Sequence, residues 1–406
     1  MPVNLSAAES LLPVRGVRLG IGQGGIKHKN RADVVLLEFA PEAMVAGSFT
    51  RNAFCAAPVH CCRAALGEGR PVAGLLINSG NANAGTGAAG LRVAQQSMAE
   101  AAAALGRPET AVLPFSTGVI GQALPLEKLV QGLQQAQAQL AEDNWLAAAR
   151  AIMTTDTVPK GVSRQVQTAG GLVTVTGIAK GAGMICPDMA TMLAFVACDA
   201  KFENADLQLL LDQAVAASFN SITVDGDTST NDAAVLCASG QVGDQPLVPG
   251  SSDFLRVAQA ISEVCLALAQ AIVRDAEGAT RFVEVEILEG RDTTEARQVA
   301  YCIAHSPLVK TALFAGDANW GRILAAVGRS GLRELDLGRI SLGIDDLELI
   351  SNGEPATGYS EASGAVAFAR AEYKIWVRLG RGEALARIWT CDLGYDYVRI
   401  NAEYRT

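Results

Sequence analysis

The chain has 406 residues, of which 50% are hydrophobic and 18% charged, so it can build two or three domains with large cores, and this composition disfavours disorder. Its formal net charge of −9 disfavours nucleic acid and anionic membrane as partners. The nine cysteines form no CxxC pair and the three histidines form no metal-binding pattern, which predicts a reduced, cytoplasmic protein without a metal site.

Neither the N-terminus nor the most apolar run indicates export or membrane insertion. The first 17 residues lack the basic-then-apolar pattern of a signal peptide. The apolar run 264–273 has about half the length that a bilayer span requires. We therefore expect no membrane segment.

The glycine-rich stretch from Gly20 to Gly25 formally fits GxGxxG. A dinucleotide site needs a strand before this motif and a helix after it, and the flanking sequence predicts neither. We therefore predict a turn and no NAD binding.

Strands are predicted at 34–39 and 73–78, and a helix at 88–105 follows the loop SGNANAGTG. This loop could hold an anion on its backbone N–H groups, but tight-turn structure is the favoured interpretation.

A strand at 112–115 leads into Ser116, Thr117 and Gly118. A hydroxyl followed by glycine can supply the two donors of an oxyanion hole, although Ser-Thr-Gly is also common in turns. A helix is predicted over 124–150, and Thr154 lies in the polar loop after it. An alternating strand at 171–179 then leads to Lys180, which on its own reads as a solvated charge.

The stretch KGAGMICPDMATMLAFVACDA begins at Lys180. Its glycines and proline predict a sharp bend, and the apolar run 192–198 predicts a buried strand. Thr191 stands at the mouth of that strand, where a hydroxyl nucleophile could be held rigidly. An ordinary strand can begin in the same way.

The remaining chain changes character near Thr280. A helix at 207–219 precedes the polar loop SITVDGDTSTND, which fails the EF-hand pattern. A long apolar helix at 254–273 ends near Glu277. Beyond Thr280 we predict an α+β unit with antiparallel pairing, and hence domains 1–280 and 281–406. Its helices are predicted at 296–306 and 308–327, and its strands at 282–288, 340–351, 373–379, 386–390 and 397–400.

The stretch from Lys180 to Ala200 resembles the self-cleavage site of the ornithine acetyltransferase family. These enzymes of arginine biosynthesis move an acetyl group from N-acetylornithine to glutamate. The segments SGNANA, SITVDGDTSTND, GDANWGRI and YVRINAEYRT resemble family segments as well, so the likeness covers nearly the whole chain. It implies a mixed α/β fold, with a layered N-terminal-nucleophile-like catalytic domain and a smaller α+β C-terminal domain whose tail returns to the active site.

The resemblance also implies roles for individual residues. The precursor would cleave itself between Ala190 and Thr191, and the Thr191 hydroxyl would then carry the acetyl group. Thr117 and Gly118 would stabilise the tetrahedral intermediate. The substrates, N-acetylornithine and glutamate, would contact the residues Thr154, Lys180, Thr191, Glu277, Asn401 and Thr406. The two chains would assemble as (αβ)₂, with no metal and no bound cofactor.

Several points stay open in the sequence. Acetyl-CoA as a second acetyl donor is neither indicated nor excluded, since no glycine loop forms a convincing pyrophosphate cradle. An N-terminal-nucleophile amidase or aminopeptidase of related fold would use the same threonine with water as acceptor. A non-enzymatic binding or assembly protein could keep the fold without turnover, and a free Thr191 amine would argue against it.

Overall fold

The computed structural model describes residues 2–186 and 192–403, and the chain divides into two compact units. The N-terminal unit consists of Ala7–Asn220 and Asp227–Ile272. The C-terminal unit contains Ser221–Gly226 together with residues 2–6 and 273–403. The domain boundary that the sequence suggests at Thr280 stays a prediction.

Two sheets form the centre of the N-terminal unit. The strands are β1 (Val17–Gly22), β2 (Val34–Phe39), β3 (Met44–Phe49), β4 (Gly74–Asn81), β5 (Val112–Val119), β6 (Lys160–Thr168), β7 (Gly171–Lys180), β8 (Leu193–Ala200) and β9 (Ala233–Val242). The first sheet has the order β1-β2-β4-β5 and the second β3-β9-β8-β7-β6. The pairs β4/β5 and β8/β9 are parallel, and the other pairs are antiparallel.

The helices of this unit are α1 (Ala57–Gly67), α2 (Gly87–Ala104), α3 (Leu126–Gln137), α4 (Trp145–Ala151), α5 (Asn204–Ala217) and α6 (Ser252–Arg274), whose last two residues belong to the C-terminal unit. The sequence predicted one helix over 124–150. The structure has two, α3 and α4, because the polar segment between them turns the chain.

The two sheets pack face to face; α2 and α3 cover the outer face of the first sheet, and α4 contributes to the cluster between the sheets. Residues of most strands point into this cluster, where the rings of Phe115 and Phe195 meet edge to face with centroids 5.1 Å apart. Residues of β2 and β4 on the opposite face, such as Leu36, pack with α2 and α3. On the outer face of the second sheet, a Cβ at Gly177 would lie 2.9 Å from Val264 of α6. The four layers confirm the mixed α/β, layered fold.

Helix α6 is long and apolar enough to span a membrane by length and composition, and it is the one described helix that is. Of its most apolar window, 56% is buried within the protein. Val257, Ile261, Val264, Leu268 and Ile272 are fully buried and recur every three or four residues, so they form one stripe along the helix. A core helix of this kind meets the same criteria as a membrane span.

The turn predicted at the GxGxxG motif was wrong for its first three residues, whereas residues 23–25 lie outside the strands. Gly20 and Gly22 lie within β1, where helix α3 crosses them. A Cβ at Gly20 would stand 1.8 Å from the Ala136 carbonyl oxygen, and one at Gly22 would stand 1.9 Å from that of Gly132. These glycines therefore let a helix backbone rest directly on a strand.

The C-terminal unit is built on one six-stranded sheet with the order β13-β12-β11-β14-β10-β15. Its strands are β10 (Phe282–Gly290), β11 (Ser341–Ile344), β12 (Leu347–Ser351), β13 (Glu354–Pro355), β14 (Glu372–Arg378) and β15 (Ala384–Cys391). Its helices are α7 (Thr293–Ala304), α8 (Pro307–Ala315), α9 (Trp320–Gly328), α10 (Glu361–Phe368) and α11 (Tyr395–Ala402).

Four predictions for this unit were wrong in detail. The pair β10/β14 is parallel, because the long connection between them, which contains both helices and strands, leaves room for a crossover. The helix predicted at 308–327 breaks at Gly316, which has φ +65°. The strand predicted at 340–351 is a hairpin. The strand predicted at 397–400 lies in α11, where Asp396 and Arg399 pair across one helical turn at 3.0 Å.

Candidate active site

Thr117 lies near the end of β5, beside the SGN sequence of β4. The strands run parallel, with Thr117 opposite Ser79. The preceding hydroxyl is committed to the scaffold, since Ser116 Oγ donates to Asn78 Oδ1 at 2.6 Å. The Thr117 side chain is buried, and within the described chain its hydroxyl has no hydrogen-bond partner. This hydroxyl is therefore available to stabilise a developing negative charge.

Gly118 has a backbone that only glycine adopts without strain. Its φ is +135°, and a Cβ there would lie 2.3 Å from the Gly80 carbonyl carbon and 2.5 Å from the Asn81 nitrogen. The close approach of the two strands fixes the direction in which the Thr117–Gly118 backbone points. The glycine that the sequence predicts at an oxyanion site is thus required sterically.

We expect Gly118→Ala to destabilise the protein by about 2–3 kcal/mol, because the added Cβ strikes the β4 backbone and the left-handed φ disfavours a side chain. Gly121→Ala is the matched control, since Gly121 also has a positive φ, +81°, but a Cβ there meets open space. Urea unfolding of both variants measures the difference. Equal losses of unfolding free energy in the two variants would show that the close approach of Gly118 to Gly80 does not contribute to the destabilisation.

Asp156 is the centre of a buried polar cluster. One carboxylate oxygen accepts from Lys160 Nζ at 2.6 Å and from the Gly181 N–H at 2.7 Å, and the other accepts from the Thr154 N–H at 2.9 Å. The side chains of Asp156 and Lys160 are both fully buried. Asp156 thus joins two residues that the sequence places in the substrate pocket. It bonds Thr154 directly, and it bonds the Gly181 N–H, which belongs to the peptide group that follows Lys180.

Asp156 stays ionised in this cluster. Burial opposes its ionisation, but the charges of Lys160 and Lys180 and the Gly181 N–H outweigh burial and lower the pKa of Asp156. Lys180 is itself buried at the end of β7. The cluster therefore concentrates cationic charge in the interior, as binding of an amino-acid carboxylate would require.

The SGNANA loop and the end of β5 are joined by Asn231. Its amide donates to the Ala82 carbonyl at 2.6 Å and to the Ser116 carbonyl at 2.9 Å. Ser79 Oγ donates to the Ala151 carbonyl at 2.8 Å, which ties the same loop to the end of α4. Through Asn231, the polar SITVDGDTSTND loop thus fixes the residues around Thr117.

Asp232 is fully buried and directly follows Asn231. Its Oδ1 accepts the N–H of Met192 at 2.9 Å, whereas its Oδ2 has no hydrogen-bond partner within the described residues. The nearby Thr50 hydroxyl donates to the Ser229 carbonyl. Burial raises the pKa of Asp232 well above its usual value, against the lowering effects of the Met192 N–H and the Lys180 charge.

This raised pKa predicts a pH dependence of stability. Unfolding returns Asp232 to an ordinary pKa of about 3.9, so above that pH the folded chain holds one more proton at this group than the unfolded chain. The free energy of unfolding then decreases with rising pH, by about 1.4 kcal/mol per pH unit, until the pH passes the folded-state pKa. Asp232→Asn removes this contribution. Urea unfolding of both proteins from about pH 4 to 7 measures it, and identical slopes would contradict it.

Glu277 and Asn401 meet within the C-terminal unit. Asn401 Nδ2 donates to Glu277 Oε2 at 2.8 Å, and Glu277 is buried. Helix α11 is held further by Tyr397, whose hydroxyl donates to Asp225 Oδ2 at 3.1 Å. A Cβ at Gly278 would lie 2.6 Å from the Tyr397 nitrogen, so α11 packs directly on the turn that carries Glu277.

The sequence-predicted residues fall into three groups. Thr117, Gly118, Thr154 and Lys180 lie in the N-terminal unit, and Glu277 and Asn401 lie in the C-terminal unit. Ala190, Thr191 and Thr406 lie outside the described residues, so the cleavage site, the nucleophile and the terminal contact stay predictions. Across residues 2–186 and 192–403, no three His, Cys, Asp or Glu side chains are grouped to hold a metal ion.

Two residues escaped functional assignment from the sequence, Asp156 and Asp232. Asp156 stood in the polar loop after the helix predicted over 124–150, and Asp232 stood in the polar loop that fails the EF-hand pattern. The only local signal was their position, because each aspartate stands shortly before a strand. Their partners are distant in sequence, so their roles became visible only in the fold.

Comparison with known proteins gives concordant matches. A family model described as the ArgJ family matches residues 18–406. The arginine biosynthesis bifunctional protein ArgJ of Methylococcus capsulatus is 54% identical over 397 residues, covering 98% of this chain and 97% of that protein. The protein of the same name from Pseudomonas fluorescens is 50% identical over 407 residues, covering 100% of both.

A solved structure, that of arginine biosynthesis bifunctional protein ArgJ from Bacillus halodurans, is 43% identical. It covers 51% of this chain and 97% of its own chain, with a TM-score of 0.49. The family match and the identity to full-length relatives extend over nearly every residue of the chain. The chain therefore belongs to the ArgJ family, an assignment that confirms the resemblance found in its sequence.

Proposed function

We propose that this enzyme transfers the acetyl group of N2-acetyl-L-ornithine to L-glutamate through an acetyl-Thr191 intermediate. The observation that carries the proposal is the full-length match to relatives named for arginine biosynthesis. The buried, uncommitted Thr117 hydroxyl beside Gly118 and the cationic cluster around Lys180 support it, since acyl transfer between amino acids needs an oxyanion site and a carboxylate site.

Self-cleavage comes first in this mechanism. The Thr191 hydroxyl attacks the Ala190 carbonyl carbon, and the acyl group moves from nitrogen to oxygen. Water then hydrolyses the resulting ester, which leaves chains 1–190 and 191–406. The freed α-amine of Thr191, with an ordinary pKa of about 7.7–8.0, serves as general base for its own hydroxyl.

Acetyl transfer follows in two half-reactions. The Thr191 oxygen attacks the acetyl carbonyl of N-acetylornithine while the α-amine takes its proton, and Thr117 and Gly118 stabilise the oxyanion. The amide C–N bond then breaks, and ornithine leaves with that proton. The amine of glutamate attacks the acetyl-threonine ester, N-acetylglutamate departs, and the Thr191 oxygen regains a proton. As the family resemblance implies, Thr154, Lys180, Glu277, Asn401 and Thr406 orient the amino-acid ends of the substrates.

Intact-mass spectrometry tests this proposal. Active protein should consist of two chains, with a free threonine at the start of the second. After addition of N-acetylornithine the second chain should gain one acetyl group, and glutamate should then remove it as N-acetylglutamate. Acetate in place of N-acetylglutamate would favour the hydrolase alternative, and a single intact chain in fully active protein would refute processing.

Two further expectations accompany this function. We propose that the relatives' name "bifunctional" extends to acetyl-CoA as a second acetyl donor, in which case acetyl-CoA alone should also acetylate the second chain. We further propose an (αβ)₂ assembly, for which native mass spectrometry should give twice the mass of one cleaved pair. The cytoplasmic location stays a prediction from the cysteine content.

A further inference from the structure

We propose that Asp232 is a positioning residue for acetyl transfer, which holds the Met192 peptide group and thereby the backbone that carries the reacting groups of Thr191. The inference rests on the proposed function, which makes Thr191 the nucleophile. None of the roles that the family resemblance implies falls on Asp232.

The peptide groups of Met192 are held on both sides by two consecutive residues. Asp232 Oδ1 accepts the Met192 N–H at 2.9 Å, and the Ala233 N–H donates to the Met192 carbonyl at 3.2 Å. Met192 immediately precedes β8 and Asp232 immediately precedes β9, and these strands are parallel, with Leu193 opposite Ala233. The chain that follows Thr191 therefore enters the sheet from a fixed point.

The same loop also fixes the predicted oxyanion site. Asn231, the neighbour of Asp232, donates to the carbonyl of Ser116 at 2.9 Å, and Ser116 directly precedes Thr117. Two adjacent side chains thus hold the strand that carries Thr117 and the strand that follows Thr191. Because a misplacement of about 1 Å between reacting groups can reduce a rate roughly 100-fold, this connection bears directly on catalysis.

Burial opposes ionisation of the Asp232 carboxyl group and raises its pKa. The contact that the proposal needs is the one from the Met192 N–H to Oδ1 at 2.9 Å, which requires an acceptor oxygen and not a charge.

Asp199 provides a matched control. It is also fully buried, its Oδ1 also accepts a backbone N–H, that of Thr174 at 2.8 Å, and its Oδ2 also lacks a hydrogen bond within the part of the chain described. Arg15 Nε lies 3.6 Å from it. Asp199 is on β8, seven residues beyond Met192, so its loss should affect stability without affecting transfer.

The test compares Asp232→Ala, Asp232→Leu and Asp232→Asn with Asp199→Ala. Intact mass gives the amount of the chain 191–406 that N-acetylornithine can acetylate, and kcat is calculated per mole of that chain. Ala and Leu remove the acceptor, and Leu preserves side-chain volume. For both we expect kcat to fall roughly 10- to 100-fold while KM for N-acetylornithine changes less than about twofold. Asn keeps an acceptor oxygen without charge and should retain kcat within about threefold.

Asp199→Ala should lower the urea midpoint and leave kcat unchanged. Wild-type kcat in Asp232→Ala or Asp232→Leu would overturn the proposal, and so would a loss in Asp232→Asn as large as in those variants. If neither Asp232→Ala nor Asp232→Leu yields folded protein, the Asp232→Asn variant decides. A large loss of kcat in stable Asp232→Asn refutes the proposal, and retained kcat in that variant supports it. Failure of wild-type protein to become acetylated on Thr191 would instead refute the proposed function.

Discussion

Thr191→Ala is expected to yield one uncut chain of 42.2 kDa and to abolish acetyl transfer. The methyl side chain offers no oxygen to attack the Ala190 carbonyl or to carry the acetyl group, and without cleavage no α-amine is released. Loss of a nucleophile that acts with its own base typically removes nearly all of the catalysed rate, so activity should fall below roughly one-thousandth of wild type. Denaturing gels and an assay of N-acetylglutamate measure the two effects.

Thr191→Ser is the control for this variant. Serine keeps the hydroxyl and, after cleavage, the amine, so both processing and transfer should persist at reduced rates. Transfer by uncut Thr191→Ala would refute the nucleophile and the role of processing together. Cleavage in Thr191→Ala would place the scission elsewhere in the chain.

Asp156→Ala is expected to cause the largest loss of stability. It leaves the buried Lys160 ammonium without its carboxylate and removes the acceptor of the Thr154 and Gly181 N–H groups. Removing one partner of a buried ion pair costs about 3–5 kcal/mol. Urea unfolding should show this loss, and KM for glutamate should rise because Lys180 and Thr154 lose a common anchor.

The double variant Asp156→Ala/Lys160→Met separates charge from packing. Methionine has similar length without charge, so it should recover much of the lost stability, while the orphaned N–H groups should keep KM high. Glu68→Ala, which breaks the solvent-exposed pair with Arg70, should leave the unfolding midpoint unchanged. Full recovery of KM in the double variant would show that Asp156 does not organise the substrate site.

Local pattern was sufficient for most of the larger elements. The alternation of FVEVEIL predicted β10, and the apolar spacing of residues 254–273 predicted α6, because side-chain periodicity reports which face of an element is buried. It failed at Tyr397–Ile400, where alternating apolar residues belong to helix α11. In so short a segment the side-chain periods of a helix and of a strand cannot be distinguished. The packing of α11 on the Glu277 turn decides that the segment is helical.

The sequence by itself determined the family, the layered fold class and the set of candidate site residues, since those depend on motifs of adjacent residues. Only the tertiary structure decided that Gly20 and Gly22 admit a helix onto a strand, that Asp156 joins Thr154 to the Lys180 strand, and that Asp232 holds Met192. Asp232 lies 40 residues from Met192 along the chain. Burial and hydrogen bonding between residues so far apart in sequence arise only when the sheets assemble. Local patterns in a single sequence therefore do not reveal them.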